Sequence, residues 1–251
     1  MSEQRVLITA GADGIGKRTA EVFLAHGARV HVCDIDEARL HAFAAQHDHL
    51  STSLTDVADP AAIDALFEEA VHHLGGLDVL VNNAGIAGPT ANLEDIEPEV
   101  WHRCVDINLT AQYLCSRRAI PLLKQNQTGC IINLSSSIVY MGATMRSPYV
   151  AAKWAVIGLT KALAAELGPF NIRVNAIAPG AVEGARMERV LAASAEQTGV
   201  SVEELRRQDE QAVAMGTFVE AEDIAQMAYF LCSDKARYVS GQLIGVDGFT
   251  L

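Results

Sequence analysis

ArgValLeuIleThrAlaGlyAlaAspGlyIleGlyLys, residues 5–17, is the stretch whose reading decides the fold. Its first five residues form a short β-branched, aliphatic run that reads as a strand, and the residues that follow the glycines, ThrAlaGluValPheLeuAlaHisGly at 19–27, carry helical periodicity. Between them lies a turn holding Gly11, Gly14 and Gly16, with Asp13 and Ile15 interleaved. Glycines at a strand-to-helix junction let the backbone turn sharply, and they bring amide N–H groups and the positive helix end against a pyrophosphate. Such turns also occur for purely structural reasons, so the rest of the chain has to be read with them.

Working outward, further strand-like runs stand at 28–33, 77–82, 129–134, 172–177 and 242–246, with a weaker one at 50–55. The segments between them are amphipathic at helical spacing, as in AlaAlaIleAspAlaLeuPheGluGluAlaVal at 61–71. Repeated βαβ units predict an α/β fold: a Rossmann-type, doubly wound parallel sheet of about seven strands, flanked by helices on both faces. No internal repeat, low-complexity tract or linker divides the chain, so residues 1–251 are expected to form one domain. One stretch breaks the rhythm. Residues 184–216 are polar, charged and helix-prone, and they fall between the sixth and seventh strands. An insertion there is read as a substrate lid of two short helices, the alternative being a solvated surface excursion.

Half of the residues are hydrophobic and a fifth are charged, a soluble globular composition. A strand beginning at residue 5 leaves no room for a signal peptide, and no apolar run reaches the roughly 18–20 residues of a membrane span. The expected location is the cytoplasm, with no membrane partner. A net charge of −12 argues against nucleic acid, which requires a basic footprint. Cys33, Cys104, Cys115, Cys130 and Cys232 are odd in number and lack CxxC pairing, so they read as reduced core thiols. The eight histidines have no zinc-like spacing, and no metal is expected.

Asp34 closes the second strand some twenty positions after the glycines, where a carboxylate accepts from the hydroxyls of an adenosine ribose and repels a 2′-phosphate. Asp13 adds a second carboxylate where a chain binding NADP often carries a base, so the two together point to NAD as the cofactor. Toward the other half of the chain, Tyr149 and Lys153 stand four apart in SerProTyrValAlaAlaLysTrpAla and share a face if helical. A phenol is a poor base near neutrality, with a pKa of about 10, unless a cation favours the phenolate. Lys153 supplies that cation, and Ser136, thirteen positions before Tyr149, completes a set for moving a proton on and off an oxygen.

These motifs resemble the short-chain dehydrogenase/reductase family, single-domain division, over nearly the whole chain. Its marks stand here as ThrAlaGlyAlaAspGlyIleGly (9–16), AspVal (56–57), AsnAsnAlaGly (82–85), Asn108, Ser136, Tyr149, Lys153, ProGly (179–180) and SerGlyGln with ValAspGly (240–248). The resemblance implies an oxidoreductase in which Tyr149 is general acid/base, Ser136 steadies the substrate oxygen, Lys153 also holds the nicotinamide ribose, and Asn108 holds a water relaying protons. It implies that Asp56 and Val57 contact adenine, that Asn83, Ala84 and Gly85 lie beside the riboses, and that Pro179, Gly180 and Val182 border the nicotinamide. Two positions depart from the family pattern. Its first loop glycine is Ala10 here, and the threonine that grips the nicotinamide amide is Gly184. The resemblance further implies a homo-oligomer, a tetramer pairing through helices near 98–125 and 148–168 and through the strand near 242–246.

For the substrate, Arg146 stands one turn before Tyr149, where its guanidinium either reaches the pocket rim or faces solvent. Arg186 offers a second anchor, and Ile138 an apolar contact beside Ser136. A small molecule is expected, with an anionic group if the arginines engage it: a hydroxy acid, a sugar or polyol, or a small cyclic alcohol. The leading reading is an NAD-dependent dehydrogenase interconverting a secondary alcohol and a ketone. The competitors are a 3-oxoacyl carrier-protein reductase, which would dock an acidic partner on this acidic chain, and a silent NAD-binding sensor, which would be expected to lack part of the catalytic set.

Overall fold

A computed structural model describes residues 3–250; Met1, Ser2 and Leu251 of the expected 1–251 span lie outside the described residues. In chain order the first half holds β1 (Arg5–Thr9), α1 (Gly14–Ala25), β2 (Arg29–Asp34), α2 (Glu37–Ala44), β3 (Leu50–Leu54), α3 (Pro60–Leu74) and β4 (Val79–Asn82). The second holds α4 (Pro98–Val105), α5 (Ala111–Asn126), β5 (Gly129–Leu134), α6 (Ile138–Met141), α7 (Ser147–Leu167), β6 (Ile172–Pro179), α8 (Ala185–Thr198), α9 (Val202–Gln211), α10 (Ala221–Cys232) and β7 (Leu243–Val246). All pairings are parallel, in the order β3-β2-β1-β4-β5-β6-β7, so the expected doubly wound sheet is present. The strand order reverses between β1 and β4, and ligands of such sheets bind outside the carboxyl ends at that crevice.

Period-two alternation divides the core between two faces. Val6, Ile8, Val30, Val32, Val79 and Val81 pack with Phe23 of α1 and with Ile224 and Leu231 of α10. Leu7, Leu80, Ile131 and Val174 pack on the opposite face with Ile63 and Phe67 of α3, Leu123 of α5 and Leu167 of α7. Burying each such side chain is worth about 1.5–3 kcal/mol. Helix starts follow local chemistry: Asp36 and Asp59 cap α2 and α3, Pro60 occupies the first turn, and Gly75 ends α3 in the left-handed conformation. β4 begins at Val79 rather than 77, because Asp78 turns to pair its carboxylate with the Arg5 guanidinium at 2.7 Å.

A buried polar belt fastens the centre of the sheet to two helices. Asn82 Nδ2 donates to Asn133 Oδ1 at 2.8 Å and to Ser116 Oγ of α5 at 3.1 Å, while Asn133 Nδ2 donates to Thr160 Oγ1 of α7 at 2.9 Å. The stretch 184–216 contains α8 and α9. Its base is held at both ends: Val182 bridges Val219, and the N–H groups of Ala214 and Met215 donate to the carbonyls of Phe249 and Gly248.

Candidate active site

The glycine turn is locked to the crevice by backbone chemistry. Thr9 Oγ1 accepts from the N–H groups of Asn83 and Ala84 at 3.0 and 2.9 Å, and Asn83 Nδ2 donates to the carbonyls of Thr9 and Ala10. A Cβ on Gly16 would lie 2.2 Å from the Ala10 carbonyl oxygen and 2.5 Å from Asn83 Nδ2, so only glycine permits α1 to start this close to the loop. Ala10 itself has φ +51°, a left-handed conformation that costs a residue with a Cβ about 1–2 kcal/mol. Asp13 caps α1, its carboxylate accepting from the Gly14 N–H at 2.8 Å, and Ile15 is half-buried in the first turn.

At the end of β2 the Asp34 carboxylate is aimed by three backbone donors. Oδ2 accepts from Ala12 at 3.1 Å, and Oδ1 accepts from Ile35 at 2.8 Å and Asp36 at 3.2 Å. Ile35, beside it, and Leu54, opposite Asp34 in the register, are exposed apolar side chains at this corner. Asp56 is exposed and accepts from Ala58 N–H at 2.9 Å, while Val57 is buried. A basic residue that sequence reading missed also reaches this corner. Arg39 pairs with Asp13 and with Asp36, so its charge is already balanced by two carboxylates. The signal was present in sequence only as an arginine three residues after a capping aspartate.

The predicted acid/base residues lie on the other side of the crevice. Tyr149 and Lys153 are one turn apart on α7 and both are buried. Lys153 Nζ donates to the carbonyl of Leu134, the last residue of β5, at 2.8 Å, and Ser135 Oγ donates to the Lys153 carbonyl at 2.9 Å. Ser136 follows β5, and its hydroxyl is one of the groups that lower the pKa of the Tyr149 phenol. Asn108 sits in a π-helical turn, Asp106–Thr110, that joins α4 to α5. Such bulges redirect a side chain out of the helical ladder. Its Nδ2 donates to the carbonyls of Ile86 and Cys104, but its buried Oδ1 has no partner among the described residues. A Cβ built on Gly85 would lie 2.8 Å from that oxygen and 3.4 Å from Lys153 Nζ, so both polar atoms face one small space above a glycine. An orphan acceptor beside an ammonium calls for a hydroxyl-bearing group or a water.

Electrostatics follow from burial and three cations. Burial pushes the Tyr149 phenol up, but Lys153, Arg186, the Ser136 hydroxyl and Arg146 outweigh it and hold the phenol below its usual range. Burial likewise pulls the Lys153 ammonium down to about 8, partly offset by Tyr149. These are the shifts a proton-transferring pair near neutrality requires.

Next to this set opens a cavity of about 750 Å³ whose lining includes Gly85, Ile86, Arg146 and Arg186. Arg146 is half-buried, its guanidinium 5.1 Å from the Tyr149 ring centroid, and Nη2 donates to the Ala87 carbonyl at 2.8 Å. Ser136 and Ile138 do not line the cavity; Ile138 lies in α6, its N–H 3.4 Å from Ser136 Oγ. Pro179 ends β6 and accepts from Ser137 N–H, Gly180 donates to Val246, and Val182 pairs with Val219. Arg103 and Arg189, which sequence reading passed over, also line the cavity. No group of three or more histidine, cysteine or acidic side chains is arranged to hold a metal ion among the described residues.

Residues 9–249 match the profile of the family described as Enoyl-(Acyl carrier protein) reductase. The chain is 36% identical over 246 residues to 3-oxoacyl-acyl-carrier-protein reductase FabG of Thermotoga maritima, covering 96% of this chain and 95% of that one. It is 35% identical over 258 residues to trans-4-hydroxycyclohexanecarboxylate dehydrogenase of Sinomonas cyclohexanicum, covering 99% and 93%. Among solved structures, the 3-ketoacyl-(acyl-carrier-protein) reductase from Brucella melitensis complexed with NADH aligns with a TM-score of 0.87 at 32% identity, covering 98% and 97%. An actinorhodin polyketide ketoreductase with NADPH aligns with a TM-score of 0.94 at 30% identity, covering 98% and 96%. With motif order, sheet topology and relatives in agreement, the chain belongs to the short-chain dehydrogenase/reductase family, whose members here are oxidoreductases acting on CH–OH groups and their ketones.

Proposed function

We propose that this protein is an NAD-dependent dehydrogenase interconverting a secondary alcohol and a ketone of a small molecule. The observation that carries the reading is the convergence of buried Tyr149 and Lys153 with Ser136 and Asn108 beside a glycine turn and an aimed Asp34 carboxylate. The dinucleotide fits this crevice. The α1 N-terminus and Gly14 to Gly16 would take the pyrophosphate, Asp34 the adenosine ribose, Ile35, Leu54 and Val57 the adenine, and Lys153 the second ribose. Pro179, Gly180 and Val182 would border the nicotinamide, with Ala84 and Gly85 beside the riboses. Asn83 acts there through the loop, since its amide is spent on Thr9 and Ala10.

When bound, the cofactor accepts or returns the hydride. Every other demand falls on the chain. Ser136 donates to the substrate oxygen and holds it against Tyr149. In oxidation the Tyr149 phenolate takes the hydroxyl proton; in reduction the phenol gives it back. Lys153, anchored on Leu134, keeps the phenolate accessible, and a water between Asn108 Oδ1 and Lys153 would pass the proton onward. NAD is favoured over NADP because Asp34 repels a 2′-phosphate and Arg39 is already neutralised by Asp13 and Asp36.

The stretch 184–216 is proposed to close over bound ligands, and hydrogen exchange in α8 and α9 should slow only when cofactor and substrate are both present. Homotetramer formation is proposed through α5, α7 and edge strand β7, where Tyr113 and Trp154 are large exposed apolar side chains. Sedimentation at micromolar concentration tests it. The proposed location is the cytoplasm; no described helix is long and apolar enough to cross a membrane.

A second reading, reduction of 3-oxoacyl thioesters, is favoured by the similarity to the Thermotoga reductase. A panel of secondary alcohols with NAD against 3-oxoacyl thioesters with NADPH separates the two. Turnover confined to thioesters would reject the alcohol reading, and turnover of neither would leave a cofactor-binding protein without this activity.

A further inference from the structure

Acidic residues outnumber lysines and arginines 31 to 19, and Arg5, Arg18, Arg39, Arg118, Arg206 and Arg207 each pair with at least one carboxylate. Arg103, Arg146, Arg186 and Arg189 have no carboxylate within 4.0 Å among the described residues, as is also true of Arg29, Arg117, Arg173 and Arg237; what sets the first four apart is that all of them line the cavity beside Tyr149, with Glu99 the one acid in that lining. Three separate elements bring them there: Arg103 from the last turn of α4, Arg146 from the residue before α7, and Arg186 and Arg189 from one face of α8. Cations converging on a concave, partly apolar space focus a positive potential inside an otherwise acidic molecule.

The donors are also left open. Arg146 Nε is buried without a partner, while its Nη2 is fixed on Ala87. Apart from Thr90 and Glu99, the remaining lining side chains are apolar, Ile86, Val100 and Val190 among them, and they offer a polyhydroxylated sugar few hydrogen-bonding partners. Forked guanidinium donors at the end of such a space match a planar carboxylate on a hydrocarbon body.

Resting on the dehydrogenase reading above, we propose that the cavity is a carboxylate subsite and that the substrate is a hydroxy or oxo carboxylic acid with a hydrocarbon body. The carbon bearing the oxygen sits at Tyr149, the carboxylate lies between Arg146 and Arg186, and Arg103 and Arg189 draw it in. Because Arg186 and Arg189 ride on α8, the anion also joins α8 to the sheet side of the cavity by offsetting the repulsion among the four cations.

Calorimetry on the whole protein, with and without saturating NAD, tests this without turnover. The probes are cyclohexanecarboxylate, the uncharged cyclohexanecarboxamide and cyclohexyl phosphate. The carboxylate should bind about tenfold or more tightly than the amide, as expected for charge-assisted hydrogen bonds, and this preference should shrink with added salt. It should also collapse in an R186Q/R189Q variant, whose substitutions fall at exposed positions and should not lower the melting temperature, and in R146Q. No detectable binding of the carboxylate, equal binding of acid and amide, tighter binding of the phosphate, or a preference surviving R186Q/R189Q would overturn the subsite. The dehydrogenase reading fails by a different result: no secondary alcohol, charged or neutral, reducing NAD.

Discussion

Lys153 Nζ lies 5.6 Å from the ring centroid of Tyr149, one turn away on α7, while donating at 2.8 Å to the Leu134 carbonyl at the end of β5. The sheet thus fixes the position of a charge that lowers the pKa of a phenol one turn away on the same helix. Both side chains are buried, so that charge acts with little screening from solvent.

Tyr149→Phe keeps the ring in its packing and deletes the oxygen. Turnover should fall by about 10²–10⁴, the contribution of a positioned acid/base group, while NAD affinity stays close to that of the parent. Single-turnover kinetics with parallel calorimetry checks this. A variant keeping most of its turnover would remove Tyr149 from the chemistry.

Alcohol oxidation should accelerate as pH rises if, as proposed, the Tyr149 phenolate is the base, since its pKa is held below the ordinary phenol value. Ketone reduction should show the opposite sign. The two titrations are coupled, since Lys153 loses its proton near pH 8 and with it part of the support for the phenolate. In Lys153→Ala the oxidation midpoint should move up, and a midpoint unchanged in that variant would contradict the coupling.

Asp34→Ala should weaken NAD binding and relax rejection of NADP, read as the ratio of kcat/KM for the two cofactors. Because Asp34 also receives the Ala12 N–H, the same variant should loosen the glycine turn, visible as faster hydrogen exchange at residues 10–13. Wild-type preference for NADPH over NADH at equal concentration would refute the assignment.

A stability effect lies far from the chemistry. His31, buried inside β2, bonds Ser51 Oγ and Ser53 Oγ at 2.8 Å each and stacks on His73 at 5.8 Å; Ser53 in turn donates to Glu69. Burial, then the neighbouring His73, lowers its pKa from 6.5 to about 4. The unfolded chain therefore binds more protons than the native one between those values. Stability should be intact above pH 6.5 and decline by about 3 kcal/mol as pH falls to 4. Melting curves across that window should be flatter for His31→Gln. An equally steep decline in the variant would place the acid sensitivity elsewhere.

The alternation of β-branched runs with amphipathic stretches made the sheet legible, since a fold buried on both faces writes its strands as short apolar segments. The π turn at Asp106–Thr110 was not legible, because ValAspIleAsnLeuThr carries no glycine or proline to mark a change of helical ladder. Ala10 could be recognised as a departure from the family glycine, but its left-handed backbone, with its carbonyl accepting from Asn83 just after β4, is seen only in the fold. Tyr149, Lys153 and Ser136 were readable because their spacing spans a single strand-to-helix connection. The convergence of Arg103 and Arg189 with Arg146 and Arg186 arises from two helices and the residue that precedes a third, far apart in the chain, and Arg39 meets Asp13 across two strands' ends. Such meetings are products of tertiary geometry, and no local pattern records them.

The bridge between Val182 and Val219 brings the chain just after β6 and just before α10 side by side, the Val219 carbonyl accepting from the Glu183 N–H and the Val219 N–H donating to the Ala181 carbonyl. Everything between is a closed detour. Its ends are already joined, so lengthening, shortening or exchanging the detour costs only slowly growing loop entropy and leaves the strand register alone. Grafting a different 184–216 segment onto this scaffold should therefore redirect which molecules are accepted while the machinery built on β5 and α7 is inherited intact.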